Sequence, residues 1–279
     1  MKGSLGIYQF IRNGDYFDYP WRESLLSVIP IADQISVVEC NSDMDNTYEE
    51  LIEFRDEFST IEKFKIIRQD WVKDYRELSS RANYASLFLN TDFKWQLQAD
   101  EVLHENQYDY IRNFLSTVYN QTTFTCIKIK YHHFIGNFST TFPFVYSEIK
   151  RIYRTGSGWR LIGDACELAG ESEDKVINSE IEVFHYGKVH SYEKGFKKEI
   201  SFQNLYKDIG FPDPKMKIMQ ETLGKDMCDY LFLFEESIKK GETKEFKGIH
   251  PKVMEKRIQE FKDNGWEQFT SKVKESIKL

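Results

Sequence analysis

The chain has 279 residues, 41% of them hydrophobic and 15% aromatic, so it can bury one large core and carry a smaller extension. Its formal net charge of −7 argues against a nucleic-acid-binding protein, because such proteins need a basic surface to release counterions from phosphates. No apolar run approaches the roughly 20 residues that span a bilayer, and the N-terminal apolar stretch is too short for a signal peptide. We therefore expect a cytoplasmic protein, with a peripheral position at the inner face of the membrane as an open alternative.

The cysteines are widely separated and include no Cys-x-x-Cys pair, so they predict neither a zinc site nor a redox pair. A chain of this length does not need disulfides for stability. We therefore expect reduced and mostly buried thiols at Cys40, Cys126, Cys166 and Cys228.

Short β-like runs alternate with amphipathic helical runs in the first part of the chain, which predicts a parallel sheet covered by crossover helices. The predicted strands are Leu5–Phe10, Gln34–Glu39, Phe64–Ile67 and Phe93–Gln98. Helical spacing between them is marked by Trp21, Leu25 and Val28, by Leu51, Phe54 and Phe58, and by Leu78, Ala82, Ala85 and Leu89. Before the second of these helices, Asn46-Thr47 with Glu50 has the pattern of a capping box.

The fourth predicted strand ends in the acidic sequence Gln98-Ala99-Asp100-Glu101. Open α/β sheets bind ligands beyond the carboxyl ends of their strands, so these carboxylates lie where chemistry is expected. A pair of solvated turn carboxylates would have the same sequence, and the pair alone does not separate the two interpretations.

The rest of the chain is less regular. A helix is predicted from Tyr108 to Val118 and a strand from Thr123 to Tyr131. Beyond about Pro214 the sequence is helical and charged, with apolar stripes at Met254, Ile258 and Phe261 and at Trp266, Phe269, Val273 and Ile277. We predict a main domain over residues 1–214 and a C-terminal helical extension over 215–279. The stripes could pack on the main domain, form a homodimer interface or lie on a membrane surface, which net acidity disfavours.

Several short motifs occur in a characteristic order: Arg12-Asn13, Asn41-Ser42-Asp43, Arg81-Ala82-Asn83-Tyr84-Ala85 and Trp95-Gln96-Leu97-Gln98-Ala99-Asp100-Glu101. This order resembles glycosyltransferase family 2, whose members have the GT-A fold. Later segments resemble a bacterial branch of that family: His133-Phe134-Ile135-Gly136-Asn137, Gly163-Asp164-Ala165, His185-Tyr186-Gly187 and Gly248-Ile249-His250-Pro251. The resemblance implies an α/β fold with a mixed sheet flanked by helices, a nucleotide-binding half over 1–101 and an acceptor half over 102–214.

The resemblance also implies a nucleotide-sugar donor, with UDP- or GDP-sugars as the favoured class. The residues that it assigns to the donor are Gln9, Arg12, Glu39, Asn41, Arg81, Gln98 and Asp100. Glu39 stands where the family usually has an Asp that contacts the nucleobase. Arg81 lies on the helix before the acidic motif, from which a cation could approach the diphosphate.

A divalent metal is implied as well, since breaking the donor's glycosidic bond develops charge on its diphosphate. Asp100 matches the last Asp of the family's Asp-x-Asp motif, and His185 resembles a downstream His that completes the metal site. Carboxylate and imidazole groups can both bind Mn²⁺, and carboxylates bind Mg²⁺. His185 could instead be a structural residue at a strand end, and His132 and His133 could be structural or acceptor-site residues. Gln98 replaces the first Asp of the motif, which removes one negative charge and should lower metal affinity.

An inverting transferase needs a base that takes a proton from the acceptor hydroxyl. Asp164 lies where the family's acceptor-side base is generally found, Glu167 is the next candidate, and Glu101 is a further catalytic carboxylate next to the metal motif. Asp164 could also be a turn residue that bonds only to the local backbone.

We therefore predict a metal-assisted, inverting glycosyltransferase that acts on a glycan or glycoconjugate acceptor in polysaccharide biosynthesis. The main alternative is a nucleotide- or sugar-binding protein that kept the GT-A fold and lost catalysis through Gln98. A nucleotidyltransferase is disfavoured, because no glycine-rich phosphate loop follows the first predicted strand.

Overall fold

The computed structural model describes residues 3–60, 62–72, 74, 76–142, 147–191, 194, 195, 197, 198, 201, 205 and 243–266. Its strands are β1 (Leu5–Ile11), β2 (Gln34–Glu39), β3 (Phe64–Arg68), β4 (Phe93–Gln96), β5 (Glu101–Leu103), β6 (Cys126–Ile135), β7 (Thr140–Thr141), β8 (Glu148–Arg154), β9 (Arg160–Ile162), β10 (Glu167–Ala169), β11 (Val176–Lys188) and β12 (Lys244–Glu245). Its α-helices are α1 (Trp21–Val28), α2 (Thr47–Phe58), α3 (Glu77–Ser86), α4 (Tyr108–Asn120) and α5 (Glu255–Asp263). The mixed sheet is curled and flanked by helices, which confirms the predicted α/β class.

The first four strands form the parallel part of the sheet in the order β3-β2-β1-β4. β1 is buried along almost its whole length, as expected for a strand covered on both faces by crossover helices. β4 lies on the opposite side of β1 from β2 and β3, so the strand order reverses between β1 and β4. Open α/β sheets form their ligand-binding crevice at such a point, outside the carboxyl ends of the strands.

Beyond β4 the sheet continues with antiparallel pairs in the order β4-β8-β6-β7-β12, while β9 and β10 form a separate two-stranded sheet. The long strand β11 is parallel to β6 and antiparallel to β5. This register makes His185 a direct partner of both His133 on β6 and Glu101 on β5. Sheet pairing therefore brings the segment after β4 next to β11.

The predicted fourth strand is longer than the observed one. β4 ends at Gln96, and Gln98 begins a turn that is closed by a hydrogen bond from Glu101 N to Gln98 O at 3.0 Å. The chain then re-enters the sheet as β5. The strand predicted over Thr123–Tyr131 is also shifted, since β6 begins at Cys126 and continues to Ile135.

The predicted capping box at the start of α2 is wrong. The helix begins at Thr47, whose hydroxyl donates to Asp45 Oδ1 at 2.5 Å and accepts from Gly14 N at 2.8 Å. Glu50 instead forms an ion pair with Arg22 on α1. Contacts with the loop after β1 and with α1 therefore replace the local cap.

The C-terminal segment packs on the sheet over its described residues. β12 pairs with β7, and Met254 and Phe261 are buried against an aromatic cluster on β6 and β11. Arg257 on α5 forms ion pairs with Asp18 at 2.8 Å and Glu23 at 3.1 Å, which joins the segment to α1. The first apolar stripe is therefore used inside the chain and is not an exposed dimer surface.

Other predictions about this part of the chain lie outside the described residues, namely Phe269, Val273, Ile277, the boundary at 214–215 and Cys228. Among the described cysteines, Cys40 and Cys126 are buried, Cys166 is half-buried, and all are free thiols. No helix within the described ranges has the length and apolar character that crossing a bilayer requires.

The docked segment predicts that Phe261→Ala lowers the free energy of unfolding by about 3–5 kcal/mol, because it removes a buried aromatic side chain and leaves a cavity. The matched control is Ile249→Ala, since Ile249 is 81% exposed on the same segment. We expect this control to change stability by less than about 0.5 kcal/mol in urea unfolding. Equal effects of the two substitutions would contradict the docking of α5.

Candidate active site

A cavity of about 560 Å³ lies at the carboxyl ends of β1 and β4, a volume in the range of small-molecule sites. Arg12 follows β1, and Gln98 and Asp100 follow β4, while β6 and β11 contribute His133 and His185. Much of the remaining lining is aromatic, with Phe10, Phe17, Tyr19, Trp71, Phe134 and Phe142. The polar groups are therefore few and lie in largely apolar surroundings.

Asp100 lies in the turn after β4, with 8% of its surface exposed. Its backbone oxygen accepts a hydrogen bond from Tyr186 N at 2.8 Å, which ties the turn to β11. A Cβ atom at Gly187 would lie 2.6 Å from Asp100 Oδ2 and 2.7 Å from His185 Nε2. Glycine at this position therefore leaves room for the carboxylate and the imidazole to approach each other.

Two nitrogen groups contact different oxygens of the Asp100 carboxylate. His185 Nε2 is 3.5 Å from Oδ1, and Lys198 Nζ is 3.1 Å from Oδ2. Burial on its own would raise the pKa of Asp100, but the Lys198 ammonium and the His185 ring together hold that pKa well below its usual range. Asp100 is therefore ionised at neutral pH, which is the state a metal ligand requires.

His185 is supported by His133, and their Nδ1 atoms are 2.9 Å apart. One Nδ1 must donate and the other accept, so the contact couples the tautomers of the two rings. A metal bound at His185 Nε2 would require the hydrogen on His185 Nδ1, which would then donate to His133. The ring of His133 stacks on Tyr131 with a centroid distance of 5.3 Å and an interplanar angle of 14°.

Glu101 does not line the cavity and is fully buried. Its Oε1 accepts hydrogen bonds from Tyr131 Oη at 3.0 Å and Arg151 Nη2 at 3.3 Å, and its Oε2 accepts one from Gln98 N at 2.9 Å. A carboxylate held by these groups cannot also reach substrate in the cavity. In place of the predicted catalytic role, the contacts favour a role in holding the turn after β4.

Arg151 on β8 is completely buried and connects this turn to the opposite wall. Its Nε donates to Tyr131 Oη at 2.8 Å, and its Nη1 donates to Ala165 O at 2.8 Å. Nη1 also contacts Gln96 at the end of β4. Arg151 therefore fixes the turn that carries Asp164 relative to the turn that carries Asp100. Nothing in the local sequence of β8 distinguishes this arginine from an exposed one.

Asp164 lines the cavity, as an acceptor-side base would, and it also makes a local hydrogen bond, as a turn residue would. Its Oδ1 accepts from Cys166 N at 3.2 Å. Its neighbours Gly163 and Ala165 have φ angles of 56° and 64°, in the left-handed region, which makes the turn tight. Glu167, the next candidate base, is exposed on β10 and does not line the cavity.

Arg12 and Gln98, which are also assigned to the donor, line the cavity. The Arg12 guanidinium forms an ion pair with Asp43 at 2.7 Å and lies 5.7 Å from the ring centre of Trp71. These contacts hold a positive charge and an aromatic ring next to each other at the end of β1.

Four other residues assigned to the donor do not line this cavity: Gln9, Glu39, Asn41 and Arg81. Gln9 is 1% exposed and donates to Ser24 Oγ on α1 at 2.7 Å. Arg81 forms an ion pair with Glu77 at 2.6 Å, one turn earlier on α3. Both side chains are thus engaged between the sheet and its helices or along a helix.

Glu39 and Asn41 have structural contacts at the end of β2. Glu39 is fully buried, its Oε1 accepts from Ser42 N at 2.6 Å, and its Oε2 is 3.2 Å from Arg68 Nε. Asn41 has a φ of 50° and donates to Asp70 Oδ1 at 3.2 Å. The carboxylate of Glu39 thus shapes the loop after β2, and the expected nucleobase contact stays a prediction.

The side chains around Asp100 provide some, but not all, of the ligands that a divalent metal needs. Asp100 Oδ1 and His185 Nε2 are groups that Mn²⁺ accepts, and their 3.5 Å separation allows both to bind one ion. No group of three or more His, Cys, Asp or Glu side chains that could hold a metal is found in the part of the chain that the structure describes. Within the described residues, Asp100 and His185 are therefore the groups placed to bind one ion, and substrate or water oxygens can add further ligands.

Lys198 has no counterpart among the residues singled out from the sequence. It follows Lys197 in a charged stretch, and such a stretch ordinarily indicates a solvated surface. Its burial beside Asp100 depends on how a distant segment packs against β11, which local sequence does not record.

Solved structures similar to this chain include S. aureus TarS 1-349, with a TM-score of 0.43 and 11% identity over 75% of this chain and 66% of that chain. TarS 1-349 in complex with UDP-GlcNAc has a TM-score of 0.44 and 13% identity over 80% of this chain and 72% of that chain. GalNAc-T7 with UDP, GalNAc and Mn²⁺ has a TM-score of 0.38 and 16% identity over 56% of this chain and 26% of that chain. The chain thus spans less than two thirds of the first and last of these structures. No protein-family model and no curated protein matches it.

The buried network predicts that Arg151→Met lowers the free energy of unfolding by about 3–5 kcal/mol, because it leaves the Glu101 carboxylate buried without its cation. The double variant Arg151→Met/Glu101→Gln should be more stable than Arg151→Met, since no uncompensated charge remains. Lys130→Met is the control, because Lys130 pairs with the exposed Glu180 and its loss should barely change stability. Urea unfolding of the four proteins would contradict the network if Arg151→Met were as stable as Lys130→Met.

Proposed function

We propose that the chain is a glycosyltransferase that moves a sugar from a nucleotide-sugar donor to an acceptor hydroxyl. The observation that supports this most directly is that the ionised Asp100, with His185 beside it, lines one cavity together with Asp164 at the carboxyl ends of β1 and β4. One site thus contains Asp100 and His185, which could bind a metal ion with the donor's diphosphate, and Asp164, which could take up a proton. The similar solved structures include ligands of this class, UDP-GlcNAc in one and UDP with GalNAc in another, but the proposal stands on the site.

On the donor side, Asp100 and His185 would hold Mn²⁺ or Mg²⁺. When bound, the cation would supply positive charge to the leaving diphosphate. Arg12 adds a permanent positive charge at the end of β1, and the Gln98 amide can accept a hydrogen bond from a ribose hydroxyl. We favour UDP- or GDP-sugars as donors, as the family resemblance implies.

On the acceptor side, Asp164 would act as the base. Its carboxylate takes the proton of the acceptor hydroxyl while that oxygen bonds to the anomeric carbon of the donor. The bond between the anomeric carbon and the diphosphate oxygen breaks, and the diphosphate leaves with the electron pair. Direct attack of this kind inverts the anomeric configuration.

The acceptor that we propose is a glycan or glycoconjugate, in polysaccharide biosynthesis at a cytoplasmic location. Flat aromatic side chains such as Trp71 and Phe142 line the cavity and can pack against sugar rings. Glu101 would then serve as a positioning residue that fixes the turn before it.

A nucleotide- or sugar-binding protein without catalysis is the second candidate. It is favoured by Gln98, which stands where the family resemblance implies the first Asp of the motif, and by Lys198, whose ammonium already pairs with Asp100. This candidate predicts binding without metal dependence and without turnover.

The experiment is a thermal-shift and donor-hydrolysis screen of UDP-, GDP-, dTDP- and CMP-sugars, with and without Mn²⁺. The proteins are the wild type, Asp100→Asn, Asp164→Asn and the exposed control Asp174→Asn. One donor should stabilise the wild type more strongly with Mn²⁺ and be hydrolysed slowly. Asp164→Asn should keep the stabilisation and lose about 10²–10⁴-fold in turnover, because it removes only the base.

Asp100→Asn should lose the part of the stabilisation that depends on Mn²⁺, while Asp174→Asn should behave as the wild type. Donor binding of equal strength with and without Mn²⁺, with no hydrolysis by any protein, would favour the binding protein. If none of the donors stabilises the wild type, the nucleotide-sugar proposal is wrong.

A further inference from the structure

The Lys198 side chain places a positive charge inside the cavity wall, where it is 8% exposed. Besides its ion pair with Asp100, its Nζ donates to Gly187 O at 2.8 Å and lies 4.3 Å from the ring centre of Tyr19. Holding an ammonium group out of water is costly unless its charge is compensated. Asp100 supplies that compensation, and the pair places an ammonium group in the wall of the cavity.

His190 lies next to Lys198 without adding to this charge. Its Nε2 donates to Gly187 O at 2.8 Å, the same oxygen that accepts from Lys198. Burial, and the positive charge of Lys198, lower the pKa of His190 to about 3. His190 is thus neutral at physiological pH, whereas Lys198 carries a positive charge next to Asp100.

The lysine and the predicted metal position use different parts of the carboxylate. Lys198 is next to Asp100 Oδ2, whereas His185 is next to Oδ1. A metal held by Asp100 Oδ1 and His185 would therefore not have to displace the ammonium. The two cations could act on the same diphosphate together, and the lysine could act without the metal.

The charges in the cavity wall also favour binding of an anion without a metal. Among the described residues, its charged side chains are the cations Arg12, Lys188 and Lys198 and the carboxylates Asp100 and Asp164. A cavity that relied on a metal alone for positive charge would be lined mainly by carboxylates. Here Gln98 lacks the charge of the family's first Asp, and the lining is formally positive by one charge before any metal binds.

We propose that Lys198 binds the donor's diphosphate and gives the cavity an affinity for nucleoside diphosphates that persists without a divalent cation. The proposal rests on the proposed function, since it takes the ligand to be a nucleotide sugar. A lysine ammonium is a compact point charge with several donors, which suits phosphate oxygens. Lys198 would thus provide part of the positive charge that a bound divalent cation would otherwise provide to the diphosphate.

The test is isothermal titration of the full chain with uridine, UDP, guanosine and GDP, in EDTA and in Mn²⁺. In EDTA the wild type should bind one diphosphate more tightly than its nucleoside. Lys198→Met should lose about tenfold to a hundredfold in that diphosphate affinity, the usual range for a charge-assisted hydrogen bond, and keep its nucleoside affinity. Lys198→Arg should retain most of the preference for the diphosphate.

Asp100→Asn gives a prediction of opposite sign in the two conditions. In EDTA it should bind the diphosphate at least as tightly as the wild type, because it removes a repulsive carboxylate from the cavity wall. In Mn²⁺ it should bind more weakly than the wild type. Lys63→Met is the matched control, since Lys63 is a half-buried lysine that donates to Ile29 O at 2.8 Å and does not line the cavity.

If Lys198→Met does not fold, the charge-balanced variant Lys198→Met/Asp100→Asn replaces it, and it should lack the preference for the diphosphate in EDTA. Unchanged UDP and GDP binding by Lys198→Met in EDTA, or a double variant that still prefers the diphosphate to its nucleoside, would overturn the proposal and leave Lys198 as a structural counterion. Binding of the wild type only in Mn²⁺ would also overturn it, while the proposed function would stand. No nucleotide binding in either condition would refute the proposed function itself.

Discussion

The buried ion pair between Glu101 and Arg151 is the interaction on which the candidate site depends. Neither charge is exposed, and neither can lose its partner without leaving an uncompensated charge in the core. Tyr131 contacts both side chains, and Arg151 also reaches the backbone beside Asp164. The turn after β4, strand β6 and the Asp164 turn are therefore held in one arrangement. The turns that carry Asp100 and Asp164 owe their relative position to a buried pair that does not line the cavity.

The pairing of β11 is the second constraint, because it determines which side chains reach Asp100. β11 is parallel to β6 and antiparallel to β5, so His185 lies beside His133 and next to the turn after β4. Gly187 leaves the space in which the imidazole and the carboxylate approach. The surrounding lining is largely apolar, and charges in such surroundings interact more strongly than they would in water. A few polar contacts can therefore control how this cavity binds an anion.

The sequence was informative where structure follows from local pattern. Apolar runs with turn residues between them predicted β1 to β4 and α1 to α3, because strands covered on both faces and amphipathic helices leave clear periodicities. Of the predicted site residues, Arg12, Gln98, Asp100, Asp164 and His185 line one cavity. Glu101 lies in the core and not in the cavity because the turn at Asp100 ends there and β5 begins with Glu101, whose carboxylate is held by Arg151 and Tyr131. Arg151 and Lys198 depend on contacts between distant segments, and no local pattern records such contacts.

The contact between Lys198 and Asp100 bears on catalysis because negative charge on the diphosphate develops during the proposed reaction. In the proposed reaction the diphosphate becomes more negative as the bond to the sugar breaks, so a fixed positive charge stabilises the transition state more than the bound donor. Lys198 is fixed in advance by Asp100 and by the oxygen of Gly187, so little reorganisation is needed when the charge develops. A metal ion that enters with the nucleotide must, in contrast, first be brought into position in the site. Gln98 is uncharged and lines the same cavity, so it would place no repulsive charge next to the proposed diphosphate. Weak metal binding and retained catalysis are therefore compatible in this cavity, because the protein itself contributes part of the positive charge.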